Sequence, residues 1–108
     1  MDIDTQFLKG SIGLLLLNLL SRGEMYGYEI RQEASRRSAN AFEFKEGTLY
    51  PALHKLESAG HVESYEGAEN NRPRRYYRIT KSGRTILAKD RAEWQAISQA
   101  VTVILGEA

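Results

Sequence analysis

The stretch His61-Val-Glu-Ser-Tyr-Glu-Gly-Ala-Glu-Asn-Asn-Arg-Pro-Arg-Arg-Tyr-Tyr-Arg-Ile-Thr80 holds two short strand patterns around a turn, and Arg72, Arg74 and Arg75 follow that turn closely. With a side-chain period of two, Val62, Tyr77 and Ile79 share one face, and Arg74, Tyr76 and Arg78 share the other. The hairpin is preceded by Gly47-Thr-Leu-Tyr-Pro-Ala-Leu-His-Lys-Leu-Glu57, which reads as a short amphipathic helix. At about 100° per residue, Leu49, Ala52, Leu53 and Leu56 fall on one face and Pro51, His54, Lys55 and Ser58 on the opposite one. Thr48 and Tyr50 flank the start. Pro51 is expected in the first turn, where its missing N–H has no intrahelical partner, and Gly60 is expected to close the helix. A helix able to enter a groove, followed by a two-stranded cationic flap, is the layout of a winged helix-turn-helix that meets base edges and phosphates together.

Working outward, Thr5 to Arg22 carries Phe7, Leu8, Ile12, Leu15, Leu16, Leu19 and Leu20 at helical spacing and stops at Gly23. This predicts a central core helix. A second helix follows Met25-Tyr-Gly-Tyr-Glu29, close-packed at Gly27, with Ile30 and Ala34 inward and Arg31, Glu33, Arg36 and Arg37 outward. Phe42 and Phe44 are expected to plug the core from the next connector. Thr80 is placed to cap a last helix, along which Leu87, Trp94, Ile97, Val101 and Ile104 form a narrow seam of the kind helices use to pair. The expected fold is mainly α with a small β-hairpin, in the order α-α-α-β-β-α. Residues 1–80 form the winged helix-turn-helix, and residues 81–108 a C-terminal dimerisation helix of the same single domain.

Composition excludes several classes. The chain has 108 residues, enough for one domain. It contains no cysteine, which removes disulfides, thiolate metal sites and cysteine catalysis and is compatible with a reducing cytoplasm. The longest apolar run, Ile12 to Leu20, is broken by Gly13 and Asn18 and falls far short of the roughly 20 residues that span a bilayer. Asp2 and Asp4 stand where a signal peptide carries positive charge, so none is expected. Net charge is only +1, so any case for nucleic acid rests on where the charges sit.

Arg72, Arg74 and Arg75 suit phosphates or a narrow minor groove. Alternatively they form a solvated hairpin balanced by Glu63, Glu66 and Glu69. The outward set Thr48, Tyr50, Pro51, His54, Lys55 and Ser58 can meet base edges, thymine methyls and phosphates, or be a polar exterior without a partner. Trp94 reads as a core or dimer-seam anchor; the sharper alternative is that it and its symmetry mate line a cavity that stacks on a flat effector. His54 and His61 have no nearby ligand set for a metal, the serines lack a base and orienter, and no glycine-rich phosphate loop occurs. No cofactor and no enzymatic activity are expected.

The blocks Leu8-Lys-Gly-Ser11, Met25-Tyr-Gly-Tyr-Glu-Ile30, Gly47 to Glu57, Gly60-His-Val62 and Arg75-Tyr-Tyr-Arg-Ile-Thr80 with Gly83 resemble the PadR family of bacterial transcriptional regulators, in the family's order and over about Phe7 to Ile86. Tyr26 stands where histidine is commoner. The resemblance implies a dimer that binds an operator and usually represses, with release by a small effector in several members. Carried over by position, the helix around Thr48, Tyr50 and Lys55 is the recognition helix, and Arg72 to Arg75 is the wing tip. An aromatic near Trp94 is where some members hold planar hydrophobic compounds between subunits. A chain that stops soon after one C-terminal helix looks like the short subgroup. The expectation is a homodimeric repressor on a double-stranded DNA operator, with Arg36, Arg37 and Tyr76 joining the wing at the DNA. Trp94, Ile97, Val101 and Leu87 would form the effector site or dimer seam. The rival reading is a winged-helix docking module that touches no nucleic acid.

Overall fold

The computed structural model describes residues 10–106. Among them the order is α1 (Ile12–Leu20), β1 (Met25–Tyr26), α2 (Gly27–Arg37), α3 (Glu46–Ser58), β2 (Val62–Glu69), β3 (Arg72–Ile79) and α4 (Lys81–Leu105). This is the expected winged-helix plan with one added element. The two residues of β1 pair antiparallel with β3, Met25 against Tyr77 and Tyr26 against Tyr76, so the sheet has three strands in the order β1-β3-β2.

The first helix is shorter than its apolar pattern. Among the described residues it begins at Ile12, after Gly10 and Ser11 in a turn, and it ends at Leu20 with Ser21 and Arg22 turning away, so the single helix expected from Thr5 to Arg22 does not run unbroken. Phe7 and Leu8 lie outside the described residues. What remains is the centre of the molecule: Leu16, Leu17, Leu19 and Leu20 are all buried, and α1 packs against α2, α3, β3 and α4. Ile30, Leu49, Leu53 and Val62 complete the fully buried set, with Ala34, Phe44, Tyr77 and Leu87 around it. Each such aliphatic side chain contributes about 1.5–3 kcal/mol by leaving water, so four elements are held by one cluster.

The wing follows from register and turn chemistry. Val62 opposes Ile79, Ser64 opposes Tyr77 and Tyr65 opposes Tyr76, which puts Val62, Tyr77 and Ile79 on the core face as their alternation predicts. Asn70 and Asn71 both take positive φ, 53° and 63°. That is the geometry of a two-residue hairpin loop, which asparagine tolerates better than most residues.

Pro51 departs from expectation. With α3 starting at Glu46, it lies six residues in, beyond the first turn. Its absent N–H leaves the carbonyl of Gly47, four residues earlier, without that helical bond. Gly47 is exposed, so water can take the bond's place. At the other end Gly60 adopts φ 80°, its N–H bonds to Glu57 O at 2.9 Å, and the His61 N–H bonds to Leu56 O at 2.9 Å. These two bonds are the paired closure that a left-handed residue after a helix makes possible.

The end of α3 is tied to the start of α4. Gly60 O accepts from Thr80 Oγ1 at 2.6 Å and from Ser82 Oγ at 2.9 Å, and the Thr80 N–H donates to His61 O at 3.0 Å. Thr80 Oγ1 also caps α4 by accepting from the Gly83 N–H at 3.1 Å. Gly83 lies so close that a Cβ there would stand 2.1 Å from His61 O.

Candidate nucleic-acid interface

Helix α3 buries Leu49 and Leu53 and leaves Pro51, His54, Lys55 and Ser58 exposed. The open face is therefore the one its periodicity assigns. Thr48 is half-buried, and Tyr50 leans back toward α2, where Gly27 makes room for it. A Cβ on Gly27 would come within 2.2 Å of the Tyr50 hydroxyl oxygen. The close packing read at Gly27 is thus packing against the helix that carries the outward set.

The wing arginines are not equivalent. Arg75 donates to Ser64 Oγ at 2.9 Å and to Glu66 at 2.8 Å, and Arg78 donates to Glu63 at 2.8 Å. Arg74 sits over the Tyr26 ring at 5.2 Å with no carboxylate partner among the described residues. Arg72 is exposed at the tip. Exposed pairs such as Arg75 with Glu66 contribute little to stability and are easily exchanged for a phosphate.

Tyr76 lies on the outer face of the sheet, as expected, but it is packed and not free. Its ring stacks on Tyr65 at 5.5 Å and meets Tyr26 edge-on at 5.5 Å. The Tyr65 hydroxyl donates to Glu24 in the loop before β1. Burial, reinforced by the charge of Glu69, pushes the Tyr76 hydroxyl above the usual phenol range. Gly67 leaves space for it, since a Cβ there would lie 2.7 Å from the ring. This ladder braces the wing against the rest of the domain.

On α2, Arg36 donates to Glu33, and Arg37 Nε lies 3.9 Å from the same carboxylate. The Arg36 hydrogen bond holds the Glu33 carboxyl below the usual carboxylate range. Both arginines reach any phosphate only in competition with Glu33.

The seam on α4 divides. Leu87 is buried in the core of its own chain and is not available to a partner, which corrects its assignment to the seam. The helix is tied to α1 by Arg91 donating to Asn18 Oδ1 at 3.3 Å, and beyond that point it runs out from the domain. There Trp94, Ile97 and Val101 are exposed at 54%, 52% and 47%, and Ile104 at 83%. Trp94, Ile97, Val101 and Ile104 are thus the exposed members of the pattern, and its first member belongs to the chain's own core. Trp94 and Ile97 also border a cavity of about 460 Å³ whose far wall includes Ile12, Ala52, Lys55 and Leu56, so it reaches the flank of α3.

No helix among the described residues is long and apolar enough to cross a membrane, and no three His, Cys, Asp or Glu side chains among them gather as a metal site.

Residues 16–89 match the Transcriptional regulator PadR-like family. The chain belongs to that family. A transcriptional regulator of Mycobacterium tuberculosis is 33% identical over 89% of this chain and 87% of its own length. Among solved structures, a transcriptional regulator from Clostridium thermocellum superposes with a TM-score of 0.84 at 33% identity, covering 90% of this chain and 95% of that one. A PadR family regulator from Eggerthella lenta gives 0.81 at 29%, covering 94% and 87%. This PadR-like chain is a transcriptional regulator and not an enzyme.

Several participants escaped the sequence reading. Tyr65, Glu24 and Gly67, which brace the wing, carry no local signal for that role. Tyr26 belongs to a strand too short to show a period, and Tyr28 lies in the first turn of α2. The pairing of Glu33 with Arg36 was available, because three and four residues apart on a helix means neighbours.

Proposed function

We propose that this PadR-like regulator binds a double-stranded operator as a homodimer and represses. In this reading α3 lies in the major groove with Pro51, His54, Lys55 and Ser58 toward the bases, and Thr48 and Tyr50 at its entry. Arg72, Arg74 and Arg75 hold the adjoining phosphates, and Arg36 and Arg37 contribute after releasing Glu33. Tyr76 acts by holding the wing in place. The observation that carries the reading is adjacency: Tyr50 of α3 and Arg74 and Arg75 of the wing border one cleft, so a helix of groove width and a cationic flap sit side by side.

Dimerisation is assigned to the exposed α4 face at Trp94, Ile97 and Val101. These large apolar groups at helical spacing are left about half exposed by the described residues, and burying them against a second copy supplies the driving force. The cavity at Trp94 suits a flat hydrophobic effector, and its contact with the flank of α3 gives such a ligand a direct route to the reading helix. Effector control requires the ligand to bind the two arrangements of the dimer with different affinity.

The test is a titration of the purified protein against duplex DNA from upstream of its own gene and against random duplex, at several salt concentrations. Selective binding that weakens steeply with salt is the expected result. No binding to either duplex at low salt refutes it and favours a docking module, the reading that the near-neutral net charge supports.

A further inference from the structure

Beneath the wing lies a cleft of about 490 Å³, distinct from the one at Trp94, bordered by Tyr26, Tyr28, Arg31, Tyr50, Arg74 and Arg75. These six residues come from four elements: β1, α2, α3 and β3. Three cations meet there against a single acid on the rim, Glu46.

The three arginines differ in how far they are already satisfied. Arg75 is held by Glu66 and Ser64. Arg31 donates through Nε to Phe44 O at 2.9 Å, which fixes the root of its guanidinium, while Nη1 is only loosely paired with Glu46 at 3.8 Å. Among the described residues Arg74 has neither a carboxylate nor a hydrogen-bond acceptor, and its Nε is buried without a partner. A buried, unpaired N–H of a charged group is costly to leave unmade. It lies against the Tyr26 ring, which stabilises the cation but accepts nothing in the plane of the fork. An anion presenting two oxygens to that plane completes it. The Tyr50 hydroxyl also borders the cleft and makes no hydrogen bond among the described residues.

We infer that the cleft is a phosphate site, and that its occupant is one phosphodiester of the operator backbone, the one passing between α3 and the wing. The inference rests on the DNA-binding reading above and adds to it Arg31, which periodicity placed outward on α2 without assigning it to the DNA. It also assigns a role to convergence: a single phosphate held by Arg31, Arg74 and Tyr50 joins α2, α3 and the wing. The angle of the wing is then fixed by the DNA strand as well as by the tyrosine ladder. A backbone phosphodiester is favoured over a free anion because the cleft runs from the first turns of α3, at Glu46 and Tyr50, to Pro73, Arg74 and Arg75 of the wing, the two elements between which a bound duplex would pass its strand.

The test uses an operator recovered by selection from a random-sequence duplex library, remade as a series in which one phosphate at a time is a neutral methylphosphonate. Wild-type protein is expected to lose roughly tenfold in affinity at one position in each half-site, the loss of one charge-assisted bond. In Arg74→Gln the penalty at that position should shrink to less than about twofold. Arg74 donates no hydrogen bond among the described residues, so this change costs the fold only the contact with the Tyr26 ring, and Arg74→Lys should restore part of the penalty. Arg31→Gln is expected to erase the penalty at the same phosphate, although it also loses the link to Phe44. Selective DNA binding in which every methylphosphonate costs wild type and Arg74→Gln the same overturns the cleft assignment alone. Failure of the selection to recover any bound duplex overturns both the cleft and the DNA-binding reading.

Discussion

Gly27→Ala examines the contact that sets Tyr50. A Cβ at residue 27 would lie 2.2 Å from the Tyr50 oxygen, 2.9 Å from Cζ and 3.2 Å from Cε1, whereas ordinary contact begins near 3.4 Å. The ring must therefore retreat by about 1.2 Å at its tip. Overpacking of this kind costs about 1–3 kcal/mol. Alanine returns up to about 1 kcal/mol of helix propensity, and less than that at the first residue of α2. Since the atom met is the end of a side chain and not backbone, the net loss should be about 1–2 kcal/mol, which lowers Tm by roughly 5–15 °C in a domain of this size. Measured at one protein concentration, because self-association shifts apparent stability, the variant should melt earlier. It should also discriminate less between operator and random duplex, because the displaced ring lies on α3, the helix proposed to enter the groove. Tyr50→Phe removes the nearest atom but leaves Cζ, so in the double variant about half the stability loss should return, a coupling of about 0.5–1 kcal/mol. A Gly27→Ala protein that melts higher than wild type, or strict additivity with Tyr50→Phe, would refute the packing argument.

Arg74→Ala together with Arg75→Ala should weaken binding to all duplexes and reduce the slope of log affinity against log salt by about 2 for each bound wing pair; an unchanged slope removes the wing from the interface. Glu33→Gln frees Arg36 and Arg37 and should tighten binding at low salt with a steeper slope, and a slope equal to wild type would show that these arginines stay off the DNA. Ile97→Glu with Val101→Glu should leave each chain folded by circular dichroism yet convert a dimer to a monomer in sedimentation equilibrium, whereas an unaltered mass would clear this face of that role. Gly83→Ala meets the His61 carbonyl at 2.1 Å, which is backbone and cannot step aside, so its melting temperature should fall further than that of Gly27→Ala.

The fold was largely legible because its elements are carried by period. Leu49, Leu53, Val62 and Tyr77 lie where spacings of 3.6 and 2 put them, and Thr80 and Gly60 close their helices through local bonds. What period cannot carry was missed. The β1 strand is two residues long and exists only because β3 offers it an edge. The first helix was expected to run unbroken from Thr5, whereas Gly10 and Ser11 form a turn before Ile12. Leu87 shares the phase of Trp94, and only the position of α1 decides that one is interior and the other exposed. On α3 the exposed face was predictable from helical phase. The pairing of individual arginines was not, because which carboxylate reaches Arg75 and which leaves Arg74 bare depends on strand register, and register is set across the hairpin.

The knot of bonds joining Gly60 and His61 to Thr80, Ser82 and Gly83 makes the base of α4 a stiff elbow. Helix α4 is 25 residues long, about 37 Å at 1.5 Å per residue, so a 10° swing at the elbow moves its far end by about 6 Å. The same elbow holds the last turn of α3 and the root of both wing strands. A push on the outer half of α4 is therefore geared down as it travels inward: a displacement of several ångströms at the tip arrives at α3 as a small turn of the whole head.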